Sequence, residues 1–248
     1  MKKGKRLLAL ALALLMILAL TACGAAKNEL EGTWNAQMDM RRLLVATVDD
    51  EMDFDEFGIE PFSFGDFLED CSVDMSFEFK NDGTYTKSVD EASVRQLREV
   101  TAKATMEFYY ELMVRMLMEQ LKEYSPNGSF ADVEELDAFL TDVLGMGLDG
   151  AIESSLGMSL EDYVEEVLGD ELWDEVLDGL RGEGKYEAKD GKLFLSDGLN
   201  YNIDPEIYDT YTLSGNTLTL TDNVGGEGIS EDYAYKDYLY PVSFEKAA

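Results

Sequence analysis

The stretch SVDMSFEFKNDGTYTKSV, residues 72–89, decides the fold. Val73, Met75, Phe77 and Phe79 alternate with polar residues, the period-two pattern of a strand with one buried face. Asn81-Asp82-Gly83 follows, and a glycine that tolerates positive φ closes a tight hairpin. Thr84 to Val89 is the returning strand. Working outward, GTWNAQMDM (32–40) alternates in the same way, with Trp34, Ala36, Met38 and Met40 on one face. Alternation returns after residue 183. GKYEAKDGKLFLSD (184–197) turns about Asp190-Gly191, and DTYTLSGNTLTLTD (209–222) turns about Ser214-Gly215-Asn216. DYLYPVSFEK (237–246) sets Tyr240, Val242 and Phe244 on one face. Three strands thus precede residue 90 and five follow residue 183. Eight antiparallel strands joined mostly by tight turns suit a closed up-and-down β-barrel, which leaves no exposed edge.

Between the two groups of strands the period changes. Ser88-Val89-Asp90-Glu91 fits a capping box, and a long helix is expected from about Asp90 to Tyr124. Its stretch ATMEFYYELMVRMLM (104–118) is apolar almost all round, which points to a buried helix. Ser129-Phe130-Ala131-Asp132 opens a second helical stretch that stops near Gly145 or Gly147. Ser159-Leu160-Glu161-Asp162 opens a third, which Gly169 can kink or split. The fold class is therefore α+β: an eight-stranded antiparallel barrel interrupted by an inserted helical subdomain. The expected boundaries are 32–89 for the first part of the barrel, 90–183 for the helices and 184–246 for the rest of the barrel.

Residues 1–22 do not belong to this fold. Lys2, Lys3, Lys5 and Arg6 precede an apolar run from Leu7 to Ala22, 16 residues long. A membrane-crossing helix needs about 20, so the pattern reads as a signal peptide. Leu20-Thr21-Ala22-Cys23-Gly24 resembles the bacterial lipobox, which implies a diacylglyceryl group on Cys23 and a tether over 23–31. The expected address is the extracytoplasmic face of the cell membrane, where the lipid-anchored chain meets the membrane as its first partner.

The chain carries 20 Lys+Arg against 52 Asp+Glu, a net charge of −32. Such a surface repels nucleic acid. Residues 129–183 hold 17 acids and one base, Arg181. No His occurs, which removes Ser-His-Asp and Cys-His catalysis and the usual His-based zinc sites. Once Cys23 is acylated, Cys71 is the one thiol left, and it reads as buried packing.

Gly32-Thr33-Trp34, Phe79 to Tyr85, Gly184-Lys185-Tyr186 and Leu213 to Leu220 together resemble the lipocalin-like (calycin) domains of surface lipoproteins in Gram-positive bacteria. The resemblance covers about 29–89 and 184–246. It implies that Trp34 plugs one end of the barrel. It also implies a non-enzymatic binding module for a small apolar or amphipathic ligand, with Met38, Met75, Phe77, Tyr211 and Leu218 facing inward. The connection 43–71 contains Phe54, Phe57, Phe62, Phe64 and Phe67. Phe57 and Phe62 read either as a lid over the pocket or as part of a core. The other functional reading is an envelope interaction module with a filled barrel and a docking helical insertion.

No cofactor, metal ion or catalytic residue is implied. Asp53 to Gly58 has the look of a calcium loop, but from Asp53 the fifth and twelfth positions are Phe57 and Phe64, which an EF-hand cannot use. Gly179 to Lys185 spells G-x₄-G-K, yet Tyr186 replaces the required Ser or Thr, so the segment reads as a glycine turn ending a helix. Ser243 to Lys246 spells S-x-x-K in a strand, where residues three apart point to opposite faces.

Overall fold

The computed structural model describes residues 29–49, 52–125, 128–225 and 239–247. Eight strands form the barrel: β1 (Gly32–Asp39), β2 (Ser72–Phe79), β3 (Thr84–Val89), β4 (Gly182–Lys189), β5 (Lys192–Leu195), β6 (Tyr208–Ser214), β7 (Thr217–Val224) and β8 (Val242–Lys246). Each pairs antiparallel with the next, and β8 returns to β1 through Trp34↔Lys246 and Asn35↔Glu245, closing the sheet. This eight-stranded antiparallel barrel with a helical insertion after its third strand is consistent with a generic lipocalin-like fold.

The two ends of the barrel differ. At one end the connections are hairpins, tight because Gly83, Asp190, Gly191 and Gly215 adopt positive φ. There Leu30 is fully buried and its carbonyl accepts the indole Nε1 proton of Trp34 at 2.7 Å. Trp34 is 1 % exposed, with Lys246 Nζ 4.9 Å from its ring centroid. At the other end leave every one of the long excursions: 40–71, 90–181, 196–207 and 225–241.

The first excursion is more structured than an open loop. It contains α1 (Arg41–Asp49), the single turn α2 (Phe54–Phe57) and a 3₁₀ turn, Phe64–Asp66. The Arg41 guanidinium donates to the carbonyls of Gly65, Leu68 and Glu69 at 2.9, 2.6 and 2.8 Å. The Asp49 carboxylate accepts from Ser63 Oγ and Phe64 N at 2.7 and 2.8 Å. These polar ties shape the loop so that its phenylalanines pack together on one neighbour. Asp53 to Gly58, the calcium-like stretch, is a capped helical turn. Asp53 accepts from Glu56 N, and Gly58 ends the turn at φ 69°.

The insertion is built on α3 (Glu91–Leu121), 31 residues and about 46 Å long. Its N-cap is Asp90, whose carboxylate accepts from Ser93 N. The expected Ser88 capping box is corrected: Ser88 stays in β3 and pairs its hydroxyl with Ser76 at 2.8 Å. α3 touches three separate apolar clusters, which is why it is apolar on nearly every side. Val94 and Leu97 join the barrel core, Ala104, Phe108 and Leu112 join the loop phenylalanines, and Val114 packs with Leu136, Leu140 and Ile152. The last cluster draws on α4 (Val133–Leu144) and α5 (Leu148–Leu156). α6 (Leu160–Val167) and α7 (Asp170–Leu180) follow, split at Gly169, which is the N-cap of α7. Trp173, Leu177 and Leu180 of α7 enter the barrel core.

The chain leaves α7 without a glycine turn, contrary to the sequence expectation. Arg181 is extended at φ −111° and ψ 159°, and β4 starts at once. The glycines serve another purpose. A Cβ on Gly184 would lie 2.2 Å from the Ser196 carbonyl oxygen, while one on Gly179 would meet nothing within 4 Å. Gly184→Ala should therefore lose at least about 1–3 kcal/mol through overpacking. Gly179→Ala, inside a helix, should hold or gain up to about 1 kcal/mol. Urea denaturation of the two variants checks the contrast.

Candidate functional site

A cavity of about 270 Å³ lies inside the barrel toward the end where the long excursions leave. Its apolar wall includes Met38 of β1, Met75 and Phe77 of β2, Leu193 of β5, Leu220 of β7 and Phe244 of β8. These are the inward positions of their strands, and each is less than a tenth exposed. Leu180, at the end of α7, and Leu239, before β8, contribute at the mouth.

The polar part of the wall comes from strand positions that sequence reading did not select. Lys87 sits on β3 in the same parity as the buried Tyr85, so its side chain is delivered to the interior. Asp209 stands two residues before the buried Tyr211 on β6 and is itself 6 % exposed. Asn223 arrives through a β-bulge. The β6–β7 register shifts between Thr210 and Tyr211, so Thr210 faces Asp222 and Asp209 faces Asn223. Thr221 is the extra residue, held by a 2.8 Å hydroxyl contact with Thr210. A bulge of this kind re-aims the side chains beyond it: Leu218 and Leu220 point inward before it and Asn223 after it.

Asp209, Asn223 and Tyr240 form one hydrogen-bonded group, and Lys87 and Tyr85 bond to the backbone beside it. Asp209 Oδ1 accepts from Asn223 Nδ2 and from the Tyr240 hydroxyl, both at 2.7 Å. Lys87 Nζ donates to the Gly179 carbonyl at 2.7 Å, in the last turn of α7, where a cation offsets the helix dipole. The Tyr85 hydroxyl donates to the Ser196 carbonyl at 3.0 Å. Burial raises the Asp209 carboxyl above its ordinary value, against the pull of Asn223, Tyr240 and Lys87. Burial also lowers the Lys87 ammonium, while Asp209 and Asp197 pull it back up. Tyr85 is pushed up to about 12 by burial and then by the Asp197 and Asp209 charges. Tyr240 is raised by burial and by Asp209 beside it.

Of the residues expected from sequence, Met38, Met75 and Phe77 line the cavity. Tyr211 and Leu218 are buried in the same barrel core but do not line it. The Tyr211 hydroxyl donates to Glu29 Oε1 at 2.5 Å. Phe57 and Phe62 pack in the cluster built around Phe108, away from the cavity. The Phe62 ring lies 5.0 Å from Phe108 and 4.4 Å from the Arg115 guanidinium. Trp34 lies at the hairpin end. Cys71 is buried, and its thiol is raised by desolvation and by Asp39. Cys23 lies outside the described residues. Among the described residues no three Asp, Glu or Cys side chains are grouped to hold a metal ion.

Comparison with known proteins adds no identity. No family model, curated protein or solved structure matches the chain. The functional reading therefore rests on the cavity and its chemistry.

The raised Asp209 fixes a sign. A carboxyl whose folded-state pKa is raised favours the fold while protonated, and that contribution fades as pH climbs from about 4 through the raised value. Asp209→Asn keeps an oxygen for Asn223 and Tyr240 but stays neutral. Its melting temperature relative to the wild type should therefore rise as pH goes from 4 to 7. Thermal melts of both proteins across that range check it: no change would mean that Asp209 ionises as readily in the fold as in the unfolded chain, and a relative fall that the fold favours its charge.

Proposed function

We propose that this protein is an extracytoplasmic lipoprotein, held to the membrane by a diacylglyceryl group on Cys23, whose lipocalin-like barrel binds a small amphipathic molecule without transforming it. The observation that carries the reading is the cavity of about 270 Å³, apolar along one wall and polar at its mouth. That size lies just under the roughly 300–1,000 Å³ of pockets for drug-sized ligands. It exceeds the cavity of about 150 Å³ that admits benzene. A filled barrel would leave no such space. The anchor rests on Leu20-Thr21-Ala22-Cys23-Gly24 behind a basic and then apolar leader. The acidic chain makes nucleic acid an unsuitable partner.

A second reading, docking of an envelope protein on the helical insertion, draws on one observation. Val143, Leu144 and Met146 at the α4–α5 turn are 60 %, 54 % and 38 % exposed. Large apolar side chains grouped at a surface mark interaction sites when they form a patch. Crosslinking of cells carrying the intact chain addresses it.

Native mass spectrometry of a soluble form starting at Gly24, before and after organic extraction, tests the binding reading. An extractable adduct of defined mass is expected. Met75→Trp, which fills the cavity, should abolish the adduct, while Phe62→Ala should leave it unchanged. A clean mass before extraction, with no probe retained, would overturn the reading. Separately, labelled palmitate should be incorporated by the wild type in cells and not by Cys23→Ser.

A further inference from the structure

We propose that the barrel cavity selects small molecules that join a cationic donor, such as a primary ammonium, to an apolar body, and that Asp209 receives the donor. The proposal rests on the binding reading above and names the ligand class of the same site.

Asp209 is 6 % exposed and lines the cavity. A carboxylate has acceptor room on both oxygens. Here both neighbouring donors, Asn223 and Tyr240, go to Oδ1. Oδ2 accepts from none of the described residues, so half of a buried carboxylate is left to whatever enters. A carboxylate so far removed from water gains from each further donor that reaches it.

The cation on the wall does not fill this role. Lys87 commits a proton to the Gly179 carbonyl, and its charge is shared between Asp209 and Asp197. Among the described residues the wall carries two carboxylates, Asp197 and Asp209, against one ammonium. An incoming cation balances the count, and an incoming anion worsens it. The net charge of −32 deepens the negative potential at a cleft with low-dielectric walls. Burial raises the Asp209 carboxyl despite its bonds to Asn223 and Tyr240, and a bound ammonium would bring it down again. Met38, Met75, Phe77 and Leu193 supply the surface for the apolar body. The volume suits an arylalkylamine rather than a long acyl chain.

Three probes of similar size test the proposal: 2-phenylethylamine, 2-phenylethanol and 3-phenylpropionate, titrated calorimetrically at pH 7 and low salt into the soluble form starting at Gly24. This form keeps every described residue. The amine should bind roughly tenfold tighter than the alcohol, the gain expected of one charge-assisted hydrogen bond, and the propionate should bind weakest. Asp209→Asn, with folding verified by circular dichroism, should remove the amine's advantage over the alcohol. Leu180→Asn at the mouth serves as a second variant and should weaken amine and alcohol alike. Equal binding of amine and alcohol, or an amine preference that survives Asp209→Asn, overturns the proposal and leaves the binding reading standing. Failure of all three probes to bind overturns both.

Discussion

Closure of the sheet is the constraint on which the rest of the molecule depends. β8 meets β1 over two registered pairs, and the seam is lengthened by the Ala247 N to Thr33 carbonyl hydrogen bond at 2.8 Å. With Lys246 laid over Trp34, the same corner is covered from both strands. Once the ring is shut, every strand has two neighbours, and no strand exceeds eight residues. Chain that does not fit the barrel must leave at an end. The hairpin end is occupied by turns and by Leu30, so the excursions gather at the opposite mouth. That is how a long loop, the helical insertion and the site come to share one end.

An eight-stranded barrel has an interior that side chains can just fill. Here Phe79 and Tyr186, 4.9 Å apart, fill the hairpin half, and Phe77 and Phe244, 5.5 Å apart, border the cavity. The other half holds Lys87, Asp209, Asn223 and Tyr240, whose polar atoms must keep hydrogen-bonding geometry and cannot collapse inward as aliphatic groups would. The cavity is the space those requirements leave. The α7 end reaches over it, with Leu180 at the wall and the Gly179 carbonyl on Lys87. The helices thus partly stopper the mouth.

Much of the barrel was legible because period-two alternation and glycine turns are local properties. Phe77-Glu78-Phe79 and Asn81-Asp82-Gly83 each announce their structure from adjacent residues. The three-then-five division of strands around the insertion followed from the same signals. The α1 helix was not legible, because Arg41 to Asp49 owes its shape to ties from Arg41 and Asp49 to residues 14 to 28 positions away. The role of Ser88 as a cap was misread because its pattern also fits a strand, and pairing with Ser76 decided the matter. Of the candidate site, Met38, Met75 and Phe77 were named from the sequence, while Leu193 and Leu220 were not, although alternation turns them inward too. Lys87 and Asp209 could have been found by the same parity, since each lies two residues from an inward tyrosine. Asn223 could not, because the bulge at Thr221 reverses the parity that would have placed it.

α3 makes the three apolar clusters cooperative. One unbroken helix contributes side chains to all three apolar clusters, with Leu97, Phe108 and Val114 buried in successive ones. A segment shared in this way cannot melt in one region without exposing apolar surface in the others. The barrel, the phenylalanine loop and the distal helical lobe are therefore mechanically one unit, although they are separate cores. The amide protons along the middle of α3 should be among the slowest in the molecule to exchange with solvent, since they open only when the whole fold does.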